Sequence, residues 1–237
     1  MCSEYHVKTT ASEIERELGS NLNIRSPAAE WDKRIKFTTT APVIRKAKDE
    51  LVLDELIFPA QPFPNSRLSQ LKENDQIVRI YDVPLWKQAF TQFPCVVPLT
   101  SFMEPAYWGE NAGSIMEFLP KETKHFFVPG LVIKPRVPAT GQFNGFTLLT
   151  HTASQQMLQY HHRLLVLLTP EKALDYLNLK QPSAEDRYQF LLDNRHISTF
   201  QVEKSRTMAR GWEKRVDEHK DSLESEMQYR EALEREG

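Results

Sequence analysis

Cys95-Val-Val-Pro-Leu-Thr-Ser-Phe-Met-Glu104-Pro105 is the most informative run in this chain. Apolar and β-branched residues in succession predict a buried strand, and the strand runs into a single acid. A carboxylate at such a strand end is half buried. Burial disfavours its charged form and raises its pKa, which makes Glu104 a candidate proton shuttle at neutral pH.

Working back from this run, Asp82-Val-Pro84 predicts a helix start, because proline is tolerated in the first turn, and Leu85, Trp86, Ala89, Phe90 and Phe93 supply its apolar face. Residues 59–74 read as a loop, with Pro59, Pro62 and Pro64 removing backbone donors. Earlier still, residues 37–45 and 51–58 predict two strands of a hairpin, preceded by Lys33, Arg34 and Lys36. Thr10-Ala-Ser-Glu13 is a capping box that opens a short helix carrying Ile14 and Leu18 and stopping at Gly19. Forward from Glu104, residues 106–124 read as a polar connection, and 126–133 and 143–149 as strands. A helical segment is expected over 152–160, then His161-His162-Arg163, then a strand over 164–168. A histidine at such a junction offers a proton near neutral pH. Thr169 and Ser183 cap two further helices, and residues 197–202 predict a last strand.

Composition sets limits. The chain has 237 residues, 40% hydrophobic and 26% charged, which suits one large domain. No apolar run approaches the roughly 20 residues that span a bilayer, so no membrane partner is expected. Two cysteines, Cys2 and Cys95, make no disulfide framework, and the polar opening segment points to a reducing, intracellular and cytoplasmic setting. Only eight glycines are present and no glycine-rich phosphate loop, so no nucleotide cofactor is expected. No metal cluster has recognisable spacing: His161 and His162 are adjacent and no cysteine pair lies near them in sequence. Net charge is −2, but residues 212–237 hold five Lys or Arg against nine Asp or Glu, leaving 25 against 23 for the rest. This charged tail predicts a solvated helix, with a narrow stripe of Trp212, Val216, Leu223, Met227 and Leu233 that suits the domain surface or a protein partner.

Met1-Cys2-Ser3-Glu4 carries distinct chemistry. Removal of Met1 leaves Cys2 as a 1,2-aminothiol. A chain α-amine titrates at about 7.7–8.0 against about 10.4 for lysine, so on the order of a tenth is a neutral nucleophile at pH 7. It attacks carbonyl carbon readily. With an aldehyde it forms an imine, and the neighbouring thiol closes onto the same carbon as a five-membered thiazolidine.

Several motifs in this order resemble the SOS response-associated peptidase (SRAP) family. Its members open Met-Cys-Gly-Arg, carry a Cys-Leu-Val-Pro-Ala-x-Gly-Phe-Tyr-Glu-Trp strand, and later have a His-x-Arg-Met-Pro-Val-Ile-Leu segment. Met1-Cys2-Ser3-Glu4, the run from Cys95 to Pro105, and His161-His162-Arg163-Leu-Leu-Val-Leu-Leu168 are similar to these. Ala41-Pro-Val-Ile-Arg45, Leu56-Ile-Phe-Pro59 and Phe146-Thr-Leu-Leu-Thr150 support the match. The resemblance covers residues 1–203 and leaves 204–237 as a charged helical extension. It implies an α+β single domain with a barrel-like, mainly antiparallel β core and peripheral helices. It also implies an abasic-site sensor that captures the ring-opened sugar aldehyde in single-stranded DNA, and a self-cleavage that releases Met1. Cys2 is then the nucleophile, Glu104 the proton shuttle and His161 the acid that assists ring opening.

The chain departs from the family pattern in places. The family's Asn-Ala-Arg-x-Glu-Thr motif, whose Asn helps the cysteine and whose Arg contacts DNA, is degraded. Counting back from Cys95 without gaps places Asn74 and Gln76 there; a three-residue deletion before Pro84 places Ile77 and Arg79 there. Glu4 stands where the family has arginine. Candidate phosphate contacts are Arg45, Arg79 and Arg163, with Lys33, Arg34 and Lys36 as a second group. Two other readings compete: a non-catalytic binding module of the same fold, and an N-terminal-nucleophile cysteine amidohydrolase. The latter would need a glycine-rich four-layer chain with its own Asp and Arg partners.

Overall fold

Thr100 is where the chain changes sheets. Its backbone N–H and its hydroxyl both donate to the His6 carbonyl, at 2.9 and 3.0 Å, and its Oγ1 accepts from the Lys8 backbone N–H. These bonds divide the run from Cys95 to Pro105 into two strands belonging to different sheets. The computed structural model describes residues 4–58, 67–71, 77–133, 145–196 and 199–236.

The elements in chain order begin with β1 (Glu4–Thr10), α1 (Ala11–Leu18), β2 (Asn23–Ile24), β3 (Glu30–Ile35), β4 (Thr39–Ala47) and β5 (Glu50–Phe58). A short pair follows, β6 (Ser69–Leu71) and β7 (Ile77–Arg79), then α2 (Pro84–Gln92), β8 (Pro94–Leu99) and β9 (Ser101–Ala106). After these come β10 (Ser114–Pro120), β11 (Phe126–Ile133), β12 (Gly145–Leu148), β13 (Thr150–Thr152) and β14 (Arg163–Leu165). The chain finishes with α3 (Pro170–Asn178), α4 (Ala184–Asn194), β15 (Phe200–Thr207) and α5 (Val216–Glu236).

One sheet is antiparallel, in the order β15-β10-β9-β1-β3. The other runs β12-β11-β8-β4-β5-β2, and a parallel contact of Gly145 with Ile57 brings β12 back onto β5. Five strands thus close into a barrel, the core of an α+β single domain. Closure is tight at Gly130 of β11, where an added Cβ would stand 2.5 Å from the Thr147 carbonyl oxygen and 3.1 Å from Cys95 Sγ. The two sheets meet through aromatic side chains. Phe102 of β9 stacks on Phe118 of β10 with centroids 4.9 Å apart, and packs on Phe126 of the barrel at 5.6 Å and on Phe200 at 5.9 Å. Burial of each such ring contributes on the order of 1.5–3 kcal/mol.

The hairpin is present as β4 and β5, and α1 carries the expected capping box between Thr10 and Glu13, with Gly19 left-handed at its C-terminus. Proline opens α2, and Thr169 and Ser183 cap α3 and α4. Elsewhere the structure corrects the sequence reading. The polar connection 106–124 contains β10, whose buried residues alternate along Ser114, Met116 and Phe118, the period of a half-buried strand. No helix forms over 152–160. Thr152 pairs with Arg163 across β13 and β14, so the intervening residues must fold back on themselves and hold only a 3₁₀ turn at Met157–Gln159. The last strand runs on to Thr207 beside β10. Lys33 and Arg34 lie within β3, paired with β1. No described helix is long and apolar enough to cross a membrane.

Candidate active site

Glu104 and His161, 57 positions apart in sequence, meet in space. β9 is an inner strand between β1 and β10, with Glu104 opposite Met116, and this position leaves the carboxyl 4% exposed. His161 follows the 3₁₀ turn, its backbone N–H donating to the Met157 carbonyl at 2.9 Å, and the turn is anchored by the Trp108 indole N–H donating to Leu158 O. His161 Nε2 lies 3.9 Å from Glu104 Oε2, and His161 Nδ1 sits 3.2 Å from both the backbone N–H and the carbonyl of Arg163.

Burial drives both groups toward their neutral forms. It raises the Glu104 pKa, with Arg163 acting in the opposite direction, and it holds His161 well below the usual imidazole range, helped by the charge of Arg163. Burial thus works against both charges of a Glu104–His161 ion pair and favours an acid facing a neutral imidazole. His162, 6% exposed, is pushed down to about 3 by burial and then by Arg163.

α5 lies across this site. Its His219 stacks on Tyr107 with centroids 3.6 Å apart at 12°, and comes within 6.2 Å of the His161 ring and 6.0 Å of the His162 ring. Two turns further on, the helix presents Glu226, fully buried and paired with Arg67. The inner face of the tail helix is thus polar, and Met227 of the expected apolar stripe is 47% exposed. Among the described residues Glu104 Oε2, His162 Nδ1 and His219 Nδ1 are buried with no hydrogen-bond partner.

Beside the site, Glu4 is met by three cations: Arg206 at 2.5 Å, Arg34 at 3.3 Å and Lys36 at 3.8 Å. The acid that stands in an arginine's place is over-neutralised, so the local field still favours an anion. Glu4, Tyr107, Arg206, Arg210, Trp212 and Arg215 line an adjoining cavity of about 430 Å³. Gly113, with φ +82°, lets the Trp212 ring approach to 2.9 Å of where a Cβ would stand.

Of the residues singled out from sequence, Glu104, His161 and Arg163 come together, and Arg34 and Lys36 gather on Glu4. Arg45 is held by Asp54 at 2.5 Å and lines a different cavity with Lys46 and Arg187. Lys33 is bonded to Glu55 at 2.5 Å, and Arg79 lies over the Tyr188 ring of α4 at 5.9 Å. Cys2, Asn74 and Gln76 fall outside the described residues. The other cysteine, Cys95, is buried on β8 and its thiol is pushed far up by burial, which makes it a poor nucleophile. Sequence reasoning gave His162 no role, although it stands in the His161-His162-Arg163 run, and missed His219, Arg67, Glu226 and Arg206, none of which stands in a recognisable motif. The one available signal was polar: in the tail, His219 and Glu226 are seven apart and so share a helix face.

A closed five-strand barrel flanked by an antiparallel sheet, with a buried acid and imidazole facing each other where the two sheets meet, defines the class of the protein. Residues 1–207 match the family described as SOS response associated peptidase (SRAP), and the chain belongs to that family. At family level this membership brings DNA-damage-associated abasic-site binding and, coarsely, peptidase-like or DNA-crosslinking activity. Solved structures share the fold. A Bordetella bronchiseptica protein covers 84% of this chain and 99% of its own at 18% identity and TM-score 0.59. A phage-related protein of the same organism covers 87% and 95% at 17% identity and TM-score 0.63. A Bacteroides thetaiotaomicron protein covers 80% and 86% at 16% identity and TM-score 0.61. None of the curated proteins compared with the chain matches it.

Proposed function

We propose that this protein captures ring-opened abasic sites in single-stranded DNA through Cys2, after loss of Met1. The observation that carries the reading is the buried Glu104–His161 pair, 3.9 Å apart, with Glu104 on the strand that pairs with β1. Glu4 lies opposite Met103, the neighbour of Glu104, and Cys2 is two residues from Glu4, a reach of at most about 7 Å.

The proton inventory suits the chemistry. Ring opening takes a proton from the anomeric hydroxyl and delivers one to the ring oxygen. A neutral His161 accepts the first and a protonated Glu104 donates the second, after which His161 returns its proton to Glu104 across their short gap. This allots the acid to Glu104 and the base to His161, the reverse of what the resemblance implies for His161, because burial leaves the histidine without a proton to spare. The Cys2 amine then adds to the aldehyde carbon, one of its protons passing to the oxygen; water leaves with a proton from Glu104, the iminium nitrogen gives one back to Glu104, and the thiol adds across the imine, sulfur to carbon and proton to nitrogen. No oxidant or reductant is consumed. Arg34, Lys36 and Arg206 are the cations placed to receive the flanking phosphates.

Intact-mass measurement tests this reading. Protein incubated with a single strand bearing an abasic site gains the oligonucleotide mass less one water, and N-terminal sequencing reads Cys2 first. Folded protein that begins at Cys2 and forms no adduct overturns it. A second reading, the non-catalytic binding module, is favoured by α5, which covers Glu104 and His161. In that case the folded protein binds undamaged and abasic strands alike, without a mass gain.

A further inference from the structure

Three imidazoles converge at the point where α5 meets the domain. His161 and His162 arrive from the residues just before β14 and His219 from the first turn and a half of α5, and a ligand-capable atom of each lies within 4.8 Å of the other two. Two of the site's ring nitrogens, His162 Nδ1 and His219 Nδ1, are buried without a partner, and so is the nearby carboxyl oxygen Glu104 Oε2. A buried polar atom left unsatisfied costs roughly 1–3 kcal/mol, and three in one place call for an occupant. We propose that His161, His162 and His219 bind one divalent transition-metal ion of the zinc type, which ties α5 down across the site.

The donor set selects the ion. Imidazole nitrogen suits zinc, copper, nickel and cobalt, whereas magnesium and calcium take oxygen ligands. Three histidines leave a fourth tetrahedral position for water; Glu104 Oε2 lies 3.9 Å from His161 Nε2 but is not among the three converging ligand atoms. His161 Nδ1 faces the Arg163 carbonyl at 3.2 Å, the outer contact that orients a ligating imidazole with its Nε2 toward the metal. Zinc–nitrogen bonds of about 2.0–2.1 Å set tetrahedral nitrogens about 3.3 Å apart, so no pair in the cluster has to close by more than about 1.5 Å. The mobile partner is His219, carried on a helix outside the barrel. Arg67, Arg163 and Arg215 flank the site; Glu226 pairs with Arg67 and attracts Arg163, and Arg215 donates to His219 Nε2 at 3.4 Å, a contact that leaves His219 Nδ1 as the nitrogen open to the ion. The ion and the proton cycle compete for His161 Nε2, yet the inference does not rest on the capture reading.

The test is metal binding by the full chain, stripped with a chelator and titrated with Co²⁺ followed by visible absorption, with Zn²⁺ in competition. Wild type takes up one equivalent and shows tetrahedral Co²⁺ bands. His219→Ala and His219→Asn, at a half-buried position of α5, weaken binding by more than the roughly 10–100-fold that changes to outer contacts of a metal site cost. His162→Ala does the same. His6→Ala, which alters a histidine bonded to Asp32 on another part of the sheet, leaves the affinity unchanged. Zinc also protects α5 from proteolysis in wild type and not in His219→Ala. Absence of stoichiometric Co²⁺ or Zn²⁺ binding in the micromolar range, or binding undiminished in both His219 variants, overturns the proposal. An adduct with abasic DNA in either case leaves the capture reading standing.

Discussion

Acidification from pH 7 to pH 5 destabilises this protein through His162. The imidazole titrates near 6.5 when unfolded and is held at about 3 in the fold, by burial first and by Arg163 next. Its folded pKa is the lower one, so as pH falls through 6.5 the unfolded chain takes up the proton and the folded chain does not. Stability is complete above 6.5 and is lost progressively toward pH 3. At pH 5 the loss from this residue is about 1.36 kcal/mol for each of 1.5 pH units, or about 2 kcal/mol. With a urea m-value of about 2–3 kcal/mol/M, that is a midpoint shift of about 0.7–1 M. His161 and His219 are also depressed and add to the fall, while Glu104, raised by burial, opposes it. The comparison of wild type with His162→Gln isolates one imidazole, because those groups are present in both. Urea unfolding at pH 7, 6 and 5 measures it: the wild-type midpoint drops further than the variant's by the stated amount. Equal drops in the two proteins refute the argument that His162 is kept neutral by the fold.

Other perturbations follow from the same geometry. Glu104→Gln replaces a carboxyl whose charged form burial disfavours by a neutral isostere, so at pH 8 thermal unfolding shows it at least as stable as wild type, while single-turnover adduct formation slows by the roughly 10²–10⁴-fold typical of a lost acid–base group; a destabilised variant would mean that the carboxylate, not the acid, is the folded form. Gly130→Ala forces β12 away from β11, because the new Cβ meets a backbone oxygen at 2.5 Å, and urea unfolding reads a loss of about 1–3 kcal/mol. Arg34→Ala flattens the log–log salt dependence of single-strand binding by up to about 0.7, one phosphate's worth. Lys33→Ala, on the same strand but engaged with Glu55, leaves that slope alone, and equal effects of the two would remove the Glu4 cluster from the DNA interface.

Local chemistry made much of the protein legible before any coordinates. Thr10, Ser183 and Thr169 satisfy helix N–H groups within three residues, Pro84 suits a first turn, and alternating or continuous apolar runs declare strands, because each of these effects acts over a few residues of chain. The run from Cys95 to Pro105 pointed to a half-buried acid, and Glu104 is buried more deeply than that, 4% exposed on an inner strand. What one chain segment cannot announce is which distant segment it meets. β10 was hidden because Glu117 and polar neighbours masked a period-two pattern, and the expected helix before His161 was overruled by the pairing of Thr152 with Arg163. Glu4 looked repulsive to phosphate until Arg34, Lys36 and Arg206 were found around it, the last some 200 positions away. His219 and Glu226 looked like a solvated face, because a helix carrying little apolar surface reads as a surface helix. Their burial is decided by Arg67, Tyr107, His161 and His162, which reach them only once the barrel has closed and brought β9, β14 and α5 to one place.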